Sequence, residues 1–244
     1  MASVAGNEST QVGPRNYRAD QGFFTGLSIA LSLLILVGFG QLAARGITVP
    51  GEFPLRVHVH AFLLIAWLAT FSYQNWLAYK GKLSRHRMLG RTALLIVFAI
   101  IIANAYVTIM VIMEGRLGPD FTPGSFIALG TADTLFFAGL VAWALSCTSD
   151  PQSHRRLMFG ATLILAAAGI NRLLGNVAGE YTEYLSIAVQ LAFLAVMAWN
   201  DQRVLGHIHK TTLVLVPIVL VERALPHLLG DFPPVADFAQ ALVG

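Results

Sequence analysis

Charge and cysteine are scarce in this chain. Only 12% of its residues are charged, and Cys147 is its one cysteine, so an intramolecular disulfide is excluded and that side chain reads as a small packing group. There is no P-loop, no dinucleotide-binding glycine fingerprint and no Gly-x-Ser-x-Gly elbow, which removes the enzyme classes those motifs announce. The last apolar run carries no lysine that could hold retinal, which argues against a rhodopsin. The net charge of +3 is too small and too localised to suggest a nucleic-acid partner.

What the chain has is apolar length. Hydrophobic residues make up 56% of it, gathered into seven runs at 23–44, 57–78, 92–113, 124–148, 157–179, 184–199 and 211–229. A bilayer core about 30 Å thick takes roughly 20 residues of helix, so these runs predict an all-α, polytopic bundle of seven transmembrane helices. The sixth run is short and can extend backwards through Tyr181 and Glu183. Residues 1–22 read as a polar cytoplasmic tail and 230–244, with Pro233 and Pro234, as a short external segment. No linker divides the spans, so one membrane domain is expected.

Lys80, Lys82, Arg85, Arg87 and Arg91 lie between the second and third runs without an intervening acid, which places that loop in the cytoplasm. Arg155 and Arg156, then Arg203 and Lys210, fall on the same side, while Glu52, Glu114, Asp120, Glu180 and Glu183 fall on the other. The expected location is a bacterial cytoplasmic (inner) membrane, with the N-terminus cytoplasmic and the C-terminus external.

Ala66-Trp67, Ala142-Trp143 and Ala198-Trp199 recur in alternate spans, each followed by a His-basic pair: His86-Arg87, His154-Arg155 and His209-Lys210. Three repeated helical hairpins plus an N-terminal helix are suggested. Eighteen residues beyond these histidines stand Asn104, Arg172 and His227. That interval is five helical turns, so each pair shares a face about 27 Å apart.

Four charged residues lie inside the runs: Asp133, Arg172, Glu222 and Arg223. A lone charge at the bilayer centre costs about 2.5–3.5 kcal/mol, so these are expected to face inward and to pair, Asp133 with one arginine and Glu222 with the other. With Asn104, Asn171, His58, His60 and His227 they outline a polar cluster in the outer half. Pro217 is expected to bend the last span just before Glu222. His60, Trp67 and Gln74 recur every seven residues and form one stripe.

His86 and His154 start their spans at equal depth, and His60 and His227 approach the opposite surface on the second and seventh spans. Either pair supplies the two imidazoles of a six-coordinate b haem. For the first pair, Arg87 and Arg155 could neutralise propionates, and Leu89, Leu157 and Phe159 could line a slot.

The segments His58-Val59-His60, Trp67, Gln74-Asn75-Trp76-Leu77 and His86-Arg87-Met88-Leu89-Gly90-Arg91, followed by Asp133, His154-Arg155-Arg156-Leu157-Met158 and Arg172, resemble a widespread bacterial family of uncharacterised seven-helix membrane proteins. That resemblance covers most of the chain and implies no activity. More distantly, His60, Gln74 and the His86–Gly90 unit are similar to one hairpin of the ascorbate-type transmembrane cytochromes b. Those proteins hold two haems through four histidines on four helices. Asp133 stands where a second intramembrane histidine would be wanted, so the resemblance implies one haem at most.

Several readings stay open. One is a haem b-binding redox carrier or anchor with a quinone or redox-protein partner. Another is a metal-dependent membrane enzyme using His58, His60 and His227 with Asp133 and Glu222. A third is a transporter or proton relay on Asp133, Arg172, Glu222 and Arg223, and the last is a structural subunit. The lipid bilayer is a partner in all of them.

Overall fold

The computed structural model describes residues 14–118 and 120–243, with side chains from residue 20 onward except that of Asn176. In lipid every backbone amide needs an internal partner, and these apolar runs meet that demand as helices. Among the described residues there are eight: α1 (Pro14–Ala44), α2 (Leu55–Tyr79), α3 (Leu83–Met113), α4 (Pro123–Ser146), α5 (Pro151–Ala178), α6 (Thr182–Leu205), α7 (Lys210–Leu229) and α8 (Pro233–Ala241). Seven of them are long and apolar enough to cross a membrane. The chain is an integral membrane protein with a seven-helix bundle.

The helices outrun the apolar stretches. α3 begins at Leu83, so Arg85, Arg87 and Arg91 ride on its first turns and only Lys80, Gly81 and Lys82 form the connection. Gly81 adopts φ 69°, the left-handed conformation that ends α2 without steric cost. α5 likewise begins at Pro151, behind an Asp150 cap whose carboxylate accepts from the amides of Gln152 (3.0 Å) and Ser153 (3.2 Å). α6 extends the short sixth run in both directions.

Both termini hold structure that the apolar runs did not indicate. Helix α1 starts at Pro14, and Asp20 and Gln21, assigned above to a polar tail, are buried inside the bundle. Residues 1–13 lie outside the described part. The C-terminal segment is a helix, α8, packed on α4, because Pro233 and Pro234 open a helix where a missing amide costs nothing.

Helices α1 to α5 close a ring: α1 packs on α2 and α5, α2 on α3, α3 on α4, and α4 on α5. Aromatic rings fill its middle. Trp67 of α2 meets Phe137 of α4 edge-on at 5.1 Å, and Phe71 meets Phe159 of α5 at 6.4 Å. The Trp67 indole donates to Thr162 Oγ1 at 3.3 Å, so its one polar group is satisfied in the apolar centre. Helices α6 and α7 add a second group against α4 and α5.

Helix α5 is the hub, touching α1, α4, α6 and α7. Its run Ala166-Ala167-Ala168-Gly169 is narrow enough for a close crossing. A Cβ at Gly38 of α1 would stand 2.1 Å from the Gly169 carbonyl oxygen, so two glycines let these backbones meet. Phe62, Leu95, Ile102 and Leu135 face outward and are exposed, as a lipid-facing surface requires.

Candidate functional site

The α2–α3, α4–α5 and α6–α7 connections share one end of the bundle, here called the basic end. His86 and His154 lie there, each the fourth residue of its helix. Each turns back to the helix before it: His86 Nδ1 lies 3.3 Å from the Gln74 carbonyl oxygen, and His154 Nδ1 2.7 Å from that of Ala144. Those carbonyls lie near the C-terminal ends of α2 and α4, and each accepts the imidazole as a second donor. With Nδ1–H donating to a carbonyl, each imidazole presents Nε2 as a free lone pair.

The two rings meet edge to face, with centroids 6.3 Å apart and planes inclined at 78°. Gln74 reinforces the first anchor by donating from Nε2 to the His86 carbonyl oxygen at 3.1 Å. A Cβ on Gly90, one turn beyond His86, would come within 3.4 Å of that amide, so the Gln74 side chain lies over Gly90. The spacing of Gln74, His86 and Gly90 is thereby explained by contact. Leu157 and Phe159 do not line a slot, because both are buried in the core, Phe159 between Phe71 and Phe193.

Beside this pair lies a buried ionic network that the sequence did not disclose. Arg155 pairs with Asp20 of α1, and Arg156 with Asp201 of α6. Asn200 Nδ2 donates to Asp20 at 2.8 Å, and Thr212 Oγ1 and the His209 amide donate to Asp201. Both guanidinium groups lie over the Phe24 ring, at 4.6 and 5.2 Å. Four helices are tied at one level, and Arg155 is committed to Asp20 instead of standing free for a propionate.

His209 borders this network and caps α7, its Nδ1 accepting from the Thr211 amide at 3.2 Å. Burial and then the Arg156 charge push its pKa down to about 4, against the opposing pull of Asp201 and Asp150. Burial raises the Asp150 carboxyl, but hydrogen bonds from the Ser153 hydroxyl and from the Ser153 and Gln152 amides outweigh this, so it titrates below the usual range. The third His-basic unit thus departs from the first two, and the carbonyl-anchored histidine is a device of two hairpins.

Toward the other end, Arg223 binds both Asp133 of α4 and its neighbour Glu222. The one-to-one pairing expected from the sequence is therefore corrected: two carboxyl groups share one guanidinium. Arg172 joins neither. Its Nη1 donates to the Ala168 carbonyl oxygen at 2.9 Å and its guanidinium covers the Phe39 ring at 4.4 Å. Asn104 ties α3 to α4, donating to Gly130 O at 3.0 Å and Thr134 Oγ1 at 2.6 Å.

His60 and His227 are not brought together. The His227 ring meets Glu183 of α6 at 2.9 Å, whereas His60 lies within the electrostatic reach of Arg172. His58 is exposed, and Asn171 Oδ1 is buried without a partner. Among the described residues no three His, Cys, Asp or Glu side chains converge, so the set His58, His60 and His227 is not assembled as a metal centre. Compared with family models, curated proteins and solved structures, the chain matches none.

Proposed function

We propose that this protein binds one haem b through His86 and His154 and serves as a one-electron carrier or anchor at the cytoplasmic face of a bacterial inner membrane. The observation that carries this reading is the histidine pair, with centroids 6.3 Å apart and each Nδ1 held by a backbone carbonyl. His86 and His154 would be the residues that hold the group. A haem held there would supply one-electron redox chemistry.

The chain's own residues do the positioning. The carbonyls of Gln74 and Ala144 fix the tautomer and orientation of the two imidazoles, the role that partners behind metal-ligating histidines play. Arg85, Arg87 and Arg91, exposed on the first turns of α3 and without an acidic partner among the described residues, supply positive charge for propionates. The basic end as a whole sets the orientation, N-terminus inside and C-terminus outside, and gives access to a quinone in the bilayer or a cytoplasmic redox protein. The distant resemblance to transmembrane cytochromes b points the same way.

The test is the absorption spectrum of protein purified from haem-replete cells. A Soret band should be present and should shift or vanish in His86→Ala and in His154→Ala. Its persistence through both substitutions would rule out this pair.

A proton-relay reading rests on a different observation, the sharing of Arg223 by Asp133 and Glu222 within the spans. Proton uptake into liposomes holding the wild type, lost in Glu222→Gln, would favour it. Arg172 has no place in that relay, since it meets neither carboxylate.

A further inference from the structure

We propose that the end of the bundle opposite the histidine pair carries an anion site, built on Arg172 and completed by His60, Gln41 and Arg45, that takes a phosphate-type oxyanion. The site is independent of haem binding. Its first support is charge. Of the four charged residues in the apolar runs, Asp133, Glu222 and Arg223 satisfy one another, and Arg172 has no acidic partner among the described residues. One of its nitrogens donates to Ala168 O and one of its faces rests on Phe39, so most of its hydrogen-bond donors stay uncommitted.

The second support is the company it keeps. Gln41 of α1 donates to the Arg172 carbonyl oxygen at 3.0 Å and accepts at Oε1 from Arg45 Nη1 at 3.1 Å. Arg45, a second arginine without an ion pair among the described residues, is thereby tied through Gln41 to the backbone of Arg172. His60 of α2 lies within the electrostatic reach of Arg172, and its Nδ1 is buried with no hydrogen-bond partner. Buried polar atoms are normally satisfied, and an orphaned imidazole nitrogen next to an unpaired arginine indicates a missing ligand. Glu52 and Glu180, acids at the same end, form no ion pair with either arginine among the described residues.

A guanidinium fork matches the oxygens of a phosphate group, and Arg172 stands in the last two turns of α5, near the level of lipid headgroups. The oxyanion can therefore come from an anionic phospholipid or from a phosphate ester in solution. The experiment uses the full chain, delipidated in non-ionic detergent. Melting temperature is followed against inorganic phosphate, with chloride at matched ionic strength, and separately against phosphatidylglycerol. Both ligands, or either alone, should stabilise the wild type. Arg172→Gln should weaken the effective ligand about tenfold or more. A response to the lipid only assigns the site to a headgroup, and a response to phosphate only assigns it to a soluble ester. Should Arg172→Gln fail to fold, Arg45→Gln at an exposed position carries the comparison, with Arg91→Gln at the basic end as control. No response to either ligand, or one unchanged in the Arg172 and Arg45 variants, overturns the site.

Discussion

Arg156 and Asp201 form an ion pair in which neither side chain is exposed to solvent, both at 0%. The pair joins α5 to α6, and its neighbour Arg155–Asp20 joins α5 to α1. Removing one partner of a buried pair costs about 3–5 kcal/mol, because the remaining charge is stranded, whereas apolar replacement of both can be neutral. Asp201→Asn should accordingly lower the melting temperature in detergent, and Arg156→Met with Asp201→Leu should recover much of the loss. Equal losses in the single and double variants would show that the pair contributes no mutual stabilisation.

At the other cluster the ranking of single substitutions is the test. Arg223→Gln strands two carboxyl groups and should cost about 3–5 kcal/mol, while Glu222→Gln leaves Asp133 and Arg223 as a matched pair and should cost clearly less. Asp133→Asn and Arg172→Gln should add independently, since these residues do not touch. Strong coupling between those two in a double-mutant cycle would restore the pairing that the structure replaces.

The His209 environment gives a pH dependence. Its pKa is near 4 when folded and about 6.5 when unfolded, so between those values the unfolded chain binds the extra proton. The stabilisation is complete above pH 6.5 and is lost progressively as pH falls toward 4. Between about pH 7 and pH 5 the wild type should lose more melting temperature than His209→Gln. The lowered Asp150 pKa acts only below its ordinary 3.8, outside that window. Parallel curves for the two proteins would contradict the assignment.

Topology follows from the basic end. A reporter fused after Lys82 should be cytoplasmic and one at the C-terminus external; activities in the opposite sense would invert the orientation proposed for the haem site.

The spans were legible in the sequence because apolar length alone determines them. Their ends were not, since Arg85, Arg87 and Arg91 look like a loop when read by charge but continue α3 out of the hydrocarbon. Asp20 was hidden for another reason. Its partner, Arg155, is 135 residues away, and nothing local marks a carboxylate in a polar stretch as buried. Depth could be counted along each helix, which is why His86 and His154 were legible as neighbours. Helix rotation could not, and so Arg172, which faces α1 and α2, was matched with acids that face Arg223 on α7.

Haem content per chain tests the central claim most directly. Pyridine haemochrome analysis of the purified protein should give about one haem per wild-type chain and close to none in the His86→Ala/His154→Ala double variant. A wild-type protein free of haem, or equal content in both proteins, would contradict it.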